Sequence, residues 1–185
     1  GNWSEGVISG RGVSVYSNGT RYDGEFRDGM HNGSGIMTYP DGAIYEGSWV
    51  NNKKQGQAKV TYPDGALYIG EINDGLRDGE GTLTMPDGVI YEGTWQAGEI
   101  SGAGRLEQPN GDNYEGMLEG GRRQGKGVVV YANGNIYKGD FDQDQRHGQG
   151  EFTSKDGYKY TGSWSRGQIV GEGKAIYPDG TIYSG

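Results

Sequence analysis

Asp140, Asp142, Asp144 and Glu151 stand at the first, third, fifth and twelfth places of a calcium-loop spacing. Carboxylates so placed could wrap a hard cation. The sixth place must turn sharply and is glycine in such loops, but here it is Gln145, and no helical pattern flanks the stretch. The same residues read as an acidic strand and turn, so no metal is expected. His31 and His147 are the only histidines, and both are expected in hairpin loops. There is no cysteine, and neither histidine has a nucleophile and an orienting group assigned to it. The sequence therefore predicts no enzyme, no catalytic residue and no cofactor. Arg122, Arg123 and Lys126 form the one tight basic cluster, a candidate for a lipid headgroup. Asn2-Trp3-Ser4, Asn18-Gly19-Thr20 and Asn32-Gly33-Ser34 match the glycosylation pattern, two of them at Asn-Gly pairs that turns or loops demand anyway.

What positions these residues is a repeat. Tyr22, Tyr45, Tyr68, Tyr91, Tyr114, Tyr137, Tyr160 and Tyr183 recur every 23 residues without a slip. With tyrosine as position 1, all but one of the 39 glycines fall at positions 3, 8, 12, 14 and 21, and Gly120 is the exception. All five prolines occupy position 19. At 31% hydrophobic, the chain cannot fill a thick core, which points to an array whose units contact only their neighbours. The expected domain is one array over residues 1–185. It has a partial repeat 1–21, full repeats 22–44, 45–67, 68–90, 91–113, 114–136, 137–159 and 160–182, and a stub 183–185. Beginning and ending inside a unit, it reads as part of a longer array. No apolar run approaches the length of a membrane span, so a soluble chain is expected.

Positions 1, 3 and 5 carry Tyr, Gly and an aromatic or aliphatic residue (Trp3, Phe26, Trp49, Ile72, Trp95, Leu118, Phe141, Trp164). That period of two makes a strand over positions 1–6 with one aromatic and one wet face. Positions 14, 16 and 18 alternate likewise, and Pro-Asp-Gly or a relative follows as a tight turn. The Gly-x-x-x-Gly at positions 8–12 reads as the loop between the two strands. Glycines at 3 and 14 share the tyrosine face, where a ring can lie over a bare glycine on the next strand. The expected fold is all-β: a single-layer twisted antiparallel meander of tandem hairpins, elongated and one sheet thick.

The pattern Tyr-x-Gly-x-Trp-x-x-Gly-x-x-x-Gly-x-Gly followed by Pro-Asp-Gly resembles the MORN repeat (membrane occupation and recognition nexus) over the whole chain. Asn52 and Asp144 replace the position-8 glycine, Ala58 the position-14 glycine, and Gln108 and Ser154 the position-18 tyrosine. Local loosening is expected in the repeats holding the last two. The resemblance implies a non-catalytic interaction scaffold that takes a partner protein's peptide or amphipathic helix in its groove. It also implies two alternatives: a phosphoinositide-binding peripheral membrane module, or an accessory domain of a lipid kinase or lysine methyltransferase.

Charge ranks these readings. Residues 22–113 carry net −9, and the whole chain −8. Nucleic acid needs a basic stripe, and anionic lipid needs about four to eight clustered cations. Neither is present, so a protein partner ranks first and phosphoinositide is disfavoured. The expected contact residues are Tyr45, Trp49, Tyr68, Tyr91, Trp95 and Tyr114, with Glu46 and Glu92 steering from the rim or the other face. Ribbon ends expose strand edges, which makes a homodimer an expectation too. The location expected is cytoplasmic, with cytoskeletal or membrane association open.

Overall fold

The structure is a computed structural model that describes the backbone of residues 2–4 and all of residues 6–185. The position-5 assignment of Trp3 and the sequon at Asn2 therefore lie outside the described residues. Two compact units emerge: residues 1–86 with 95–98, and residues 87–94 with 99–185. The first holds β1 (Asn2–Ser4), β2 (Val7–Val15), β3 (Arg21–Arg27), β4 (Met30–Thr38), β5 (Ile44–Val50), β6 (Lys53–Thr61), β7 (Leu67–Asn73) and β8 (Leu76–Thr84). Each pairs antiparallel with the next. β9 (Ile90–Gln96) contributes its last two residues to this unit and its start to the other. The second unit continues with β10 (Glu99–Glu107), β11 (Asn113–Glu119), β12 (Arg122–Val130), β13 (Ile136–Asp142), β14 (Gln145–Thr153), β15 (Lys159–Ser165), β16 (Gln168–Ile176) and β17 (Ile182–Ser184). These too pair consecutively and antiparallel. No helix occurs among the described residues. The all-β antiparallel meander expected from the alternation is the fold found.

The core of each unit is a row of rings. In β3 the burial alternates strictly, with Tyr22, Gly24 and Phe26 inside. The Tyr22 hydroxyl reaches along its own strand and donates to the Glu25 carbonyl at 2.7 Å. Equivalent bonds run from Tyr45 to Ser48, Tyr68 to Glu71 and Tyr137 to Asp140. This pose lays the ring flat over two glycines. A Cβ added to Gly35 would come within 2.4 Å of the Tyr22 ring, and one on Gly24 within 2.4 Å of the Gly35 Cα. Bare backbone at positions 3 and 14 is what lets one sheet cover its own apolar face.

The boundary between the two strands differs from the sequence expectation. The hairpin closes at positions 7 and 8 alone, and the second strand already runs from position 9. Both turn residues have positive φ, for example Asp28 at 50° and Gly29 at 79°. That is the primed turn, whose twist suits strand pairing. The misplaced glycine Gly120 occupies position 7, at φ 57°. Asn52 and Asp144 take φ 68° and 71° at position 8 in place of glycine. The position-12 glycine sits in a bulge instead of a loop. Gly24 pairs Gly35 and Phe26 pairs His31, so three residues of β4 face Glu25 alone. Gly33 bends there at φ 96°, and the Glu25 carboxylate accepts the Ser34 N–H at 2.6 Å. Glu71 and Asp140 cap the bulges at Glu80 and Gln149 in the same way.

The turns at Gln108 and Ser154, where loosening was expected, are closed like the others. Each donates its N–H four residues on and accepts from three residues on, at 2.7–3.0 Å. Backbone geometry, not the missing phenol, fixes this turn.

Candidate functional site

Moving the hairpin boundary moves the histidines. His31 is in β4, not in a loop, and it is buried. Its ring stacks on Tyr22 at 3.8 Å and meets Trp49 edge-on at 5.1 Å. Its Nε2 shares a 2.8 Å hydrogen bond with the Tyr16 hydroxyl. Burial pushes its pKa down, which keeps the ring neutral at physiological pH. His147 lies in β14. Of the acidic group with calcium-loop spacing, Asp144 pairs with Arg123 at 2.7 Å, and Asp140 pairs with Lys126 and accepts the Gln149 N–H. Burial opposes ionisation of Asp140, but these partners outweigh it and hold its carboxyl below the usual range.

His31 occupies position 10, and its counterparts define the site. Lys54 places Nζ 4.6 Å above the Tyr39 ring and 5.2 Å above Tyr45. Arg77 lies 4.8 Å from Trp95 and 5.5 Å from Tyr62, and donates to the Gly98 carbonyl at 2.8 Å. Arg146 does the same over Trp164 in the second unit. Position-10 side chains thus roof the rings of positions 1 and 5 and lean toward the position-18 tyrosine of the repeat before. Ring faces meet the cation's charge, joined by a carbonyl at Arg77 and Arg146, in a half-buried cation–π arrangement.

The expected contact rings lie beneath this roof. Tyr45, Trp49, Tyr68, Trp95 and Tyr114 have exposures from 0% to 4%. Tyr91 is half-buried, and a Cβ on Gly93 would meet Ile100, not Tyr91. Burial pushes the phenols of Tyr45, Tyr68 and Tyr114 up to about 12 and raises that of Tyr91. What reaches solvent on the ring face of the first unit is a second set: Tyr16, 45% exposed, with half-buried Tyr39, Tyr62, Lys54 and Arg77. A groove of about 510 Å³ opens there between Tyr16, Tyr39, Trp49, Lys53, Lys54 and Asp74. The position-18 tyrosines and position-10 cations recur in the sequence at the same 23-residue spacing, a signal available without the structure.

Charge falls differently from the tally along the chain. Glu46 and Glu92 occupy the position after the tyrosine and project to the opposite face, where Glu92 comes 3.9 Å from Arg105. Glu25 and Glu71 are occupied with bulge N–H groups. The groove itself carries Lys53, Lys54 and Asp74, so the net acidity of residues 22–113 does not collect in it. Arg122, Arg123 and Lys126 are each engaged within the second unit. Arg122 donates to Gln143, Arg123 pairs with Asp144 over the Phe141 ring, and Lys126 pairs with Asp140.

A 23-residue period, one hairpin per period and glycines under rings define a β-hairpin repeat protein. A family model described as MORN repeat matches residues 1–21, 22–44, 45–67, 68–90, 91–113, 114–136, 137–157 and 160–182, and the chain belongs to that family. Two solved structures share its fold. One is the TCP domain of Drosophila melanogaster SAS-4 (dCPAP) in complex with a proline-rich motif of Ana2 (dSTIL). It is 15% identical, with TM-score 0.53, covering 94% of this chain and 88% of that one. The other is the G-box domain of the microcephaly protein CPAP, whose structural analysis suggests a role in centriole elongation. It is 20% identical, with TM-score 0.54, over 95% and 98%. No curated protein matches the chain.

Proposed function

We propose that the chain is a non-catalytic interaction scaffold, and that it holds a peptide segment of a partner protein along the ring face of its first unit. The observation that carries this is the open groove over Trp49, walled by Tyr16, Tyr39 and Lys54. Rigid amphipathic rings with polar tips beside a buried floor are the composition of binding anchors. Tyr45, Trp49, Tyr68 and Trp95 act as the floor, and Tyr16, Tyr39, Tyr62, Lys54 and Arg77 make the contacts. In the second unit, Tyr91 and Tyr114 hold the corresponding places. Glu46 and Glu92 project to the other face and lie outside this contact. The fold relative held in complex with a proline-rich motif supports a protein segment as the ligand class. The role in centriole elongation suggested for the other relative, the CPAP G-box domain, suits a cytoplasmic, cytoskeletal scaffold.

The test is capture from a lysate in parallel with sedimentation on phosphoinositide liposomes. The expected result is a protein retained by the parent chain and by Glu46→Ala with Glu92→Ala, but lost with Tyr39→Ala and Lys54→Ala. Liposome binding should stay at background at physiological salt. Strong liposome binding abolished by Arg122→Glu with Arg123→Glu, with no groove-dependent protein, would overturn the proposal.

A further inference from the structure

Resting on the docking reading above, we infer that the segment held by this groove is a left-handed polyproline II helix, with proline at every third residue and acidic residues between. The argument begins with a ladder. Tyr16, Tyr39 and Tyr62 each open the same turn, with the tyrosine N–H donated four residues on and its carbonyl accepting from three residues on, at 2.8–3.0 Å. Identical backbone fixes the rungs at one per repeat. Each repeat adds two strands at about 4.7–4.9 Å, so rungs recur at roughly 9.4–9.8 Å. One turn of polyproline II, three residues at 3.1 Å, is about 9.3 Å. An α-helix offers the same face every seven residues, or about 10.5 Å. Across three rungs the polyproline helix slips by about 0.2–1 Å, and the α-helix by roughly 1.4–2.2 Å.

The chemistry of the rungs agrees. A polyproline helix has no internal hydrogen bonds, so its carbonyls all point outward and need donors. The groove supplies the Tyr39 hydroxyl and the Lys54 ammonium as donors, and the ring face beyond it supplies the Tyr62 hydroxyl and the Arg77 guanidinium, which lie 3.4 Å apart. Proline rings pack on tyrosine faces at small entropic cost, because the helix is already formed in solution. The sheet face presents no unpaired strand backbone, so an extended β-segment would find nothing to pair with. Lys53 and Lys54 against Asp74 in the groove, with Arg77 over the Tyr62 ring beyond it, favour a ligand with negative charge between its prolines.

Fluorescence anisotropy with the full chain tests this. The probes are a labelled peptide of four Pro-Pro-Glu repeats, one of four Gly-Ser-Glu repeats with equal charge, and a basic amphipathic helix. The expected result is that the proline peptide binds at least about tenfold more tightly than the glycine peptide. Tyr39→Ala and Tyr62→Ala should each weaken it about tenfold, while Glu46→Ala should leave it unchanged. If Tyr39→Ala proves unfolded by circular dichroism, Tyr39→Phe, which removes only the hydroxyl donor, should still weaken it measurably. Equal binding of the proline and glycine peptides would overturn the inference. Tighter binding of the helix through Tyr39 and Tyr62 would overturn the polyproline conformation and leave the docking reading standing. Tyrosine-independent binding of every probe would sink both.

Discussion

The rings of positions 1 and 5 are alike in burial but not in bonding, and single substitutions should separate them. Trp95 Nε1 donates to the Gly81 carbonyl at 2.9 Å, and Trp164 does so to Gly150 at 3.2 Å. Trp49 Nε1 is buried without a hydrogen-bond partner, enclosed by Tyr22, His31 and Tyr45 edge-on. Trp95→Phe should therefore destabilise by about 1 kcal/mol more than Trp49→Phe in urea denaturation. Trp95→Ala should cost roughly 3–5 kcal/mol, while Glu92→Ala, exposed on the far face, should stay within about 0.5 kcal/mol. Gly81→Ala should also cost several kcal/mol, since its Cβ would fall 2.1 Å from the Tyr68 hydroxyl. These rings were legible in the sequence because burial, glycine cover and the strand period all act on the same positions. The site above them left a fainter signal. Position 10 changes type between His31, Lys54, Arg77 and Ile100, so a search for one recurring residue passes over it.

At the scale of the hairpin, conformation separates two glycine roles that composition merges. Positions 3 and 14 need room for a ring, whereas positions 8, 12 and 21 need positive φ. Ala97 holds φ 49° at position 7, where an L-residue is strained. Ala97→Gly should raise stability by roughly 0.5–1 kcal/mol, seen as a higher urea midpoint. Gly33→Ala should do the reverse by about 1–3 kcal/mol, because φ 96° excludes Cβ and that atom would meet the Glu25 carboxylate. The strands were readable from alternation alone. The turn was not, because glycines at 8 and 12 bracket a plausible loop on paper. What decides is backbone: a two-residue turn at positions 7 and 8 and a bulge at the position-12 glycine, found also where position 4 is Ser48 or Met117, with a position-4 carboxylate capping the bulge only at Glu25, Glu71 and Asp140.

For the whole molecule, the ring row links stability to pH and the groove links it to function. Burial pushes Tyr22, Tyr45, Tyr68, Tyr114 and Tyr137 up to about 12, above the ordinary 10.0 of an unfolded phenol. Their contribution is fully present below pH 10 and is lost as pH rises through about 12. Tyrosinate absorbance and loss of β circular dichroism should therefore rise together in that window, not separately. The claim on which the account turns is that the ring face of the first unit docks a protein segment. The direct measurement is calorimetric titration of the captured partner's binding segment into the parent chain, the Tyr39→Ala/Lys54→Ala variant and Glu46→Ala. The account predicts at least about thirtyfold weaker binding for the first variant and an unchanged dissociation constant for the second. Unaltered affinity in Tyr39→Ala/Lys54→Ala, with binding lost in Glu46→Ala, would place the site on the opposite face and contradict it.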